Sequence, residues 1–99
     1  MTGDAPAGEV AITLGIEEEF FLVDPDSRDL LADPDESIFE SCEKARGPHK
    51  VVREFLRSQI ETNTRVCESV AALDEALRET RRIVVAAAEA HGAAAMAAS

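Results

Sequence analysis

The stretch that decides the fold is ITLGIEEEFFLVD, residues 12–24. Its apolar ends predict a β-strand, yet its middle holds three consecutive glutamates, a residue type that is depleted in strands. Side chains alternate between the two faces of a strand, so Glu17 and Glu19 share one face, roughly 6 to 7 Å apart. Two such carboxylates, with no basic residue beside them, predict a site for a hard cation, Mg²⁺ or Mn²⁺. The alternative is a solvated polar face on an edge strand.

Composition limits the classes of function that are open to this chain. Its 99 residues suffice for one domain, and 20 acidic against 10 basic residues give a formal net charge of −10. This charge argues against a nucleic-acid partner, although it suits divalent cations. Residues 1–10 lack the features of a signal peptide, and no apolar run is long enough to cross a membrane. We therefore expect a cytoplasmic protein without a membrane partner, in which Cys42 and Cys67 are reduced.

Local signals after the first strand predict a hairpin and a helix. Residues 25–28, Pro-Asp-Ser-Arg, have turn chemistry, and a short returning strand at 29–32 would close the hairpin. The run Asp33-Pro34-Asp35-Glu36 is typical of a helix start with Asp33 as the cap. Gly47-Pro48 is typical of its end, and we expect His49, which follows, to be a loop residue without a partner.

Residues 51–63, VVREFLRSQIETN, predict a second long strand that pairs antiparallel with the first. One of its faces is polar and resembles the lining of a site, and this face carries Arg57, Gln59, Glu61 and Asn63. Glu54 and Glu61 are seven positions apart, so in a regular strand they face opposite ways. Only a bulge would bring both to one site.

The last third of the chain predicts a long helix and a short strand. Ser69 is a suitable cap, and an apolar stripe at helical spacing runs from Val70 toward Gly92. We expect this helix to cover the sheet face opposite Glu17 and Glu19. The small apolar residues at 93–99 could form a further strand. The whole pattern predicts an α+β fold, an antiparallel sheet with helices packed on one face.

Two segments carry a resemblance to a known family. GIEEEFFLVD (15–24) and REFLRSQIETNT (53–64), with the helix that follows, resemble the amino-terminal part of glutamate–cysteine ligase family 2. These proteins are carboxylate–amine ligases of the glutamine-synthetase-like superfamily, so the resemblance implies a partial glutamine-synthetase-like fold. Residues 1–10 are mostly small and polar, with glycine and proline, and predict a flexible lead-in. Because the family's enzymes are several times longer, we expect residues 11–99 to be the amino-terminal part of a truncated ligase domain.

The resemblance also implies a reaction. The γ-carboxylate of glutamate would take the terminal phosphate of ATP, and an amine such as that of cysteine would then displace phosphate from the acyl phosphate. The implied ligands for the Mg²⁺ or Mn²⁺ of the nucleotide are Glu17, Glu19, Glu54 and Glu61. On the polar face of the second strand, the candidate contacts to substrate or phosphate are Arg57, Gln59 and Asn63. The alternative for Arg57 is a salt bridge to the glutamates of the first strand.

A different class of function stays open beside the ligase. The chain could be a non-catalytic acidic module, the remnant of a split gene, which pairs with a partner or with itself through an exposed sheet edge. Nothing in the sequence identifies the amine. We also expect the 99 residues alone to be inactive, because one acidic wall cannot hold a nucleotide, a carboxylate and an amine together.

Overall fold

A four-stranded sheet and two helices form the part of the chain that the computed structural model describes, residues 13–54 and 58–98. In chain order the elements are β1 (Glu17–Val23), α1 (Glu36–Ala45), β2 (Lys50–Arg53), β3 (Gln59–Asn63), α2 (Val70–Ala90) and β4 (Ala94–Ala97). The strands lie in the order β2-β3-β1-β4, and each neighbouring pair is antiparallel. The predicted α+β class, with two helices against an antiparallel sheet, is confirmed. The expected lead-in at 1–10 lies outside the described residues.

The two faces of the sheet differ in composition. The face toward the helices is buried and apolar, and its core includes Phe20, Leu22, Ile38, Cys42, Ile60 and Val84. The opposite face, called the open face below, carries Glu17, Glu19 and Phe21 of β1 and Gln59, Glu61 and Asn63 of β3. Strand alternation places the apolar side chains of each strand on one face and the polar ones on the other. Each large apolar side chain that is buried contributes about 1.5–3 kcal/mol to stability, so the apolar face is the one that packs against the helices. The predicted placement of α2 opposite Glu17 and Glu19 is confirmed.

Both helices end as the sequence predicts, but one of them begins later. Ser69 caps α2, since its Oγ accepts from the Ala72 backbone N–H at 3.0 Å. In α1 the cap is Asp35, whose Oδ1 accepts from the Ser37 N–H at 2.9 Å. The prediction of Asp33 as the cap is therefore wrong, because the nearer carboxylate reaches the first free N–H groups. Gly47 follows α1 with a φ of 56°, a left-handed conformation that suits glycine.

The prediction of one long strand at 51–63 is wrong, since Lys50–Arg53 and Gln59–Asn63 are two separate strands that pair as a hairpin. The predicted antiparallel pairing with β1 is confirmed for β3. β2 and β3 pair antiparallel, with Val52 opposite Glu61 and Arg53 opposite Ile60. The ladder between β1 and β3 joins five residue pairs, from Glu17 with Asn63 to Phe21 with Gln59. A strand of thirteen residues would have left much of its backbone without a partner there, and folding back supplies one.

The short segments predicted at either end of the chain differ in outcome. The alanine-rich tail forms β4, which pairs with β1 so that Met96 lies opposite Phe21. The returning strand predicted at 29–32 is reduced to a single bridge between Val23 and Leu30. Within 13–54 and 58–98, no helix is both long and apolar enough to cross a membrane.

Candidate metal centre

Three glutamates from three strand segments meet on the open face. Glu19 of β1 lies directly opposite Glu61 of β3, and Glu54 follows β2 immediately. One carboxylate oxygen of each residue lies within 4.8 Å of the corresponding oxygens of the other two. Carboxylate oxygens are the ligands that Mg²⁺ and Mn²⁺ prefer, so this cluster has the donor set of a site for a hard divalent cation.

Glu54 reaches the cluster because of the β2–β3 hairpin. Val52 lies opposite Glu61, and Glu54, two residues further along, points to the same side of the sheet. The Glu54 backbone N–H donates to the Gln59 carbonyl at 3.4 Å, which continues the ladder past Arg53. The expectation that only a bulge would unite Glu54 and Glu61 is therefore wrong. The chain reverses between them, and a reversal changes the parity on which that expectation rested.

The electrostatics of the cluster favour a positive occupant. A hydrogen bond with the Glu61 side chain raises the pKa of Glu54, and partial burial and the charges of Glu61 and Glu19 raise it further. The neighbouring carboxylates therefore disfavour a negative charge on Glu54, and a bound cation would offset that repulsion. Asn63 orients the group, since its Nδ2 donates to Glu61 Oε2 at 3.1 Å.

The other predicted site residues lie around this cluster or outside the described residues. Glu17 shares the open face and stands opposite Asn63, but it is not one of the three converging carboxylates. Gln59 is half-buried on the same face, opposite Phe21. Arg57, the predicted contact to phosphate or a substrate carboxylate, lies outside the described residues.

The middle glutamate of the triplet has a partner that the sequence analysis missed. Glu18 points to the helix side, where Arg81 of α2 binds it through two nitrogens: Nε lies 3.0 Å from Oε1, and Nη2 lies 2.7 Å from Oε2. This contact raises the pKa of Arg81. A charge on the apolar face of a predicted strand requires a counter-charge, so the alternation of β1 already held the signal for such a partner.

His49 is a second residue whose partners the sequence does not reveal. Its side chain is only 2% exposed. Nδ1 accepts a hydrogen bond from the Arg65 backbone N–H at 3.0 Å, so the proton of the neutral ring is on Nε2. Nε2 donates to Glu79 Oε1 at 2.8 Å. His49 lies between α1 and β2, so the expectation of a loop residue is confirmed. The expectation that it lacks a partner is wrong, because both partners are distant in sequence. His49 joins the end of β3, through Arg65, to α2. The groove beside it, between α1 and α2, lies on the helix side, away from the carboxylates.

The fold of the described residues has a counterpart among solved structures. It resembles a C-terminal segment of the alpha subunit of aIF2 from Pyrococcus abyssi, with a TM-score of 0.62 and 16% sequence identity. The similarity covers 86% of this chain and 49% of that chain. At this identity the likeness establishes the α+β architecture and nothing about function.

Sequence comparison establishes the family. The profile of glutamate–cysteine ligase family 2 matches residues 13–99. A candidate glutamate–cysteine ligase 2 of Rhodospirillum rubrum is 47% identical over 94 residues, which cover 92% of this chain and 24% of that protein. A glutamate–cysteine ligase of Natronomonas pharaonis is 41% identical over 80 residues, 81% of this chain and 22% of that protein. The chain belongs to glutamate–cysteine ligase family 2, and it spans about a quarter of the length of these relatives.

Proposed function

We propose that this chain supplies the metal-binding wall of an ATP-dependent carboxylate–amine ligase in the cytoplasm. The enzyme would join the γ-carboxylate of glutamate to the amine of cysteine or of another amino compound. The observation that carries the proposal is the convergence of Glu19, Glu54 and Glu61 on the open face. Membership of a glutamate–cysteine ligase family supports the choice of reaction.

The reaction needs an activated carboxylate, because a free carboxylate has no good leaving group. An oxygen of the glutamate γ-carboxylate attacks the terminal phosphorus of ATP, and ADP leaves. The amine then attacks the acyl carbon of the resulting acyl phosphate, inorganic phosphate leaves, and the nitrogen loses a proton. Phosphoryl transfer of this kind depends mainly on positioning and on neutralising charge.

The open-face carboxylates have a defined role in this scheme. Glu19, Glu54 and Glu61 would hold Mg²⁺ or Mn²⁺, with Glu17 as a further ligand from the same face. When bound, the cation supplies positive charge to the phosphate oxygens of ATP. Without it these side chains would repel a triphosphate, so their grouping suits ATP only together with a metal ion.

The polar residues around the carboxylates would orient them and contact the substrates. Asn63 holds Glu61 through its side-chain hydrogen bond. Gln59 and Asn63, both on the open face, and Arg57 are the proposed contacts to substrate or phosphate. We expect the 99-residue chain alone to release no ADP with glutamate and cysteine, because it offers one wall of such a site.

Titration of the 99-residue chain with Mn²⁺ tests the metal site directly. Free Mn²⁺ gives a sharp electron paramagnetic resonance signal that broadens on binding, so its loss measures the bound fraction. We expect a dissociation constant of about 10⁻⁴–10⁻³ M, the range of weak oxygen-ligand sites. Glu19→Gln and Glu61→Gln should weaken binding at least about tenfold. Glu75→Gln, on the exposed side of α2, is the matched control. Equal affinities in all four proteins would contradict the proposal.

A chimera tests the reaction itself. The chain can replace the matching quarter of the Rhodospirillum rubrum relative, to which it is 47% identical. We expect ADP release that depends on both glutamate and cysteine, with kcat/KM at least about 100-fold lower in Glu19→Gln and Glu61→Gln but not in Glu75→Gln. Full turnover in both site variants at ordinary Mg²⁺ would refute the assignment. So would an inactive chimera beside an active parent.

A further inference from the structure

The amino-terminal half of β1, which carries the glutamate triplet, is held less firmly than its apolar half. Phe20 to Val23 pair with β4, and Phe20 and Leu22 are buried in the core. Among the described residues, Glu17 and Glu18 have a strand partner only in β3, while the Glu19 carbonyl also accepts from the Ala98 backbone N–H, just past β4, at 2.9 Å. On the helix side of β1, the side chain before Phe20 is that of Glu18, which is charged and does not belong to the apolar core.

The charges of this half work against its pairing with β3. Glu19 faces Glu61 directly, and like charges in opposite positions of an antiparallel pair are destabilising. The same juxtaposition is what brings the carboxylates within 4.8 Å of one another. The β1–β3 ladder and the bonds between Ile16 and Thr64 keep the two segments together. A metal site here further requires a contact that fixes the orientation of the glutamates against the repulsion.

Arg81 makes such a contact from the helix layer. Its two nitrogens bind both carboxylate oxygens of Glu18, which is only 17% exposed. A two-pronged pair of this kind fixes orientation as well as distance. The ion pair of Arg78, also on α2, differs from that of Arg81. Arg78 binds Asp74 of the same helix through Nε alone, and both side chains are more than 60% exposed.

We propose that Arg81, acting through Glu18, is a positioning residue for the metal site on the opposite face of the sheet. The pair anchors the middle of the triplet to α2, so Glu17 and Glu19 on either side of it are held facing the open face and Glu61. This inference rests on the proposed metal-binding function. Arg81 itself touches no metal ligand.

The direction of the change in Mn²⁺ affinity distinguishes positioning from simple charge. Removing a positive charge from the neighbourhood of a cation site tightens cation binding when nothing else changes. If Arg81 positions the ligands, Arg81→Met should instead weaken Mn²⁺ binding, by about fivefold, the value of an ion pair of about 1 kcal/mol. Arg78→Met removes the same charge from the same helix and should leave the affinity unchanged or slightly tighter.

Amide hydrogen exchange gives a readout that needs no metal. In Arg81→Met, protection should fall at residues 17–19 and 61–63 while that of Leu22 and of α2 is kept; a general loss of stability would lower all of them. Arg81→Lys keeps the charge without the two-pronged contact and should recover part of the protection. If Arg81→Met does not fold, protection at residues 17–19 and 61–63 in Arg81→Lys is compared with the wild type instead. Tighter Mn²⁺ binding or unchanged protection in the Arg81 variants would overturn the inference. A wild-type chain that binds no Mn²⁺ would refute the proposed function, and exchange would still judge the role of Arg81.

Discussion

Replacing Glu61 by glutamine removes the central charge of the carboxylate cluster and keeps the shape of the side chain. Glu61 faces Glu19 across the ladder, and their oxygens lie within 4.8 Å. Two unit charges at that distance repel by about 0.9 kcal/mol in a medium as polar as water. In the absence of divalent cations we therefore expect Glu61→Gln to be more stable than the wild type, by about 1 kcal/mol.

Added Mg²⁺ should reverse this order. A ligand at 100 times its dissociation constant stabilises the folded state by about 2.7 kcal/mol, which is about 11–22 °C in melting temperature for a domain of this size. The wild type should gain this increment, whereas Glu61→Gln, which binds at least about tenfold more weakly, should gain at most about 1.4 kcal/mol. The wild type then becomes the more stable protein.

Thermal unfolding followed by circular dichroism, with and without Mg²⁺, measures both effects. Ionic strength must be held constant with NaCl, since screening alone weakens the repulsion. Glu75→Gln should respond to Mg²⁺ as the wild type does. The reasoning is refuted if Glu61→Gln is the less stable protein without metal, or if it gains as much from Mg²⁺ as the wild type.

Three further predictions concern pH and the core. Because folding raises the pKa of Glu54, its stabilising contribution is present at low pH and is lost as the pH rises above 4.5, the ordinary pKa of a glutamate. The free energy of unfolding in urea should therefore decline between pH 4.5 and 7 in the wild type, and Glu54→Gln should remove this decline. His49→Ala leaves the Arg65 N–H and Glu79 without their buried partner and should cost about 3 kcal/mol in urea unfolding, whereas His49→Asn, which keeps an acceptor, should cost less; equal losses would contradict the bonding. Leu22→Ala, at a fully buried position, should cost about 2–5 kcal/mol by the same assay, and a loss under 1 kcal/mol would place Leu22 outside the core.

The parts of the fold that could be predicted have local causes. β1 and α2 follow from hydrophobic periodicity, and the ends of α2 follow from Ser69 and Gly92, whose effects act within one helical turn. The β2–β3 hairpin has no such signal, because Glu54 to Ser58 contain no glycine, proline, asparagine or aspartate. Length was the available clue, since thirteen residues exceed the usual span of a strand.

The same division applies to the candidate metal centre. Glu19 and Glu61 could be found from alternation along their strands, and they do meet. The side on which Glu54 lies depended on the hairpin, so strand parity alone gave the wrong answer. The partners of Glu18 and His49 are 63, 30 and 16 positions away. The alternation of β1 indicates that Glu18 requires a counter-charge, but no local pattern identifies the residue that supplies it.

The central position of β1 has a consequence for the chain while it is being made. Of the described strands β1 is synthesised first, yet its partner β4 is completed about 70 residues later, which at about 5–20 residues per second is a delay of about 4–14 s. Until β4 exists, the apolar segment Phe20 to Val23 lacks the strand partner on one of its edges, and an open apolar edge is prone to aggregation. Charged residues beside such a segment act as gatekeepers against aggregation. The three glutamates would thus protect the nascent polypeptide before the sheet exists to gather them around a cation.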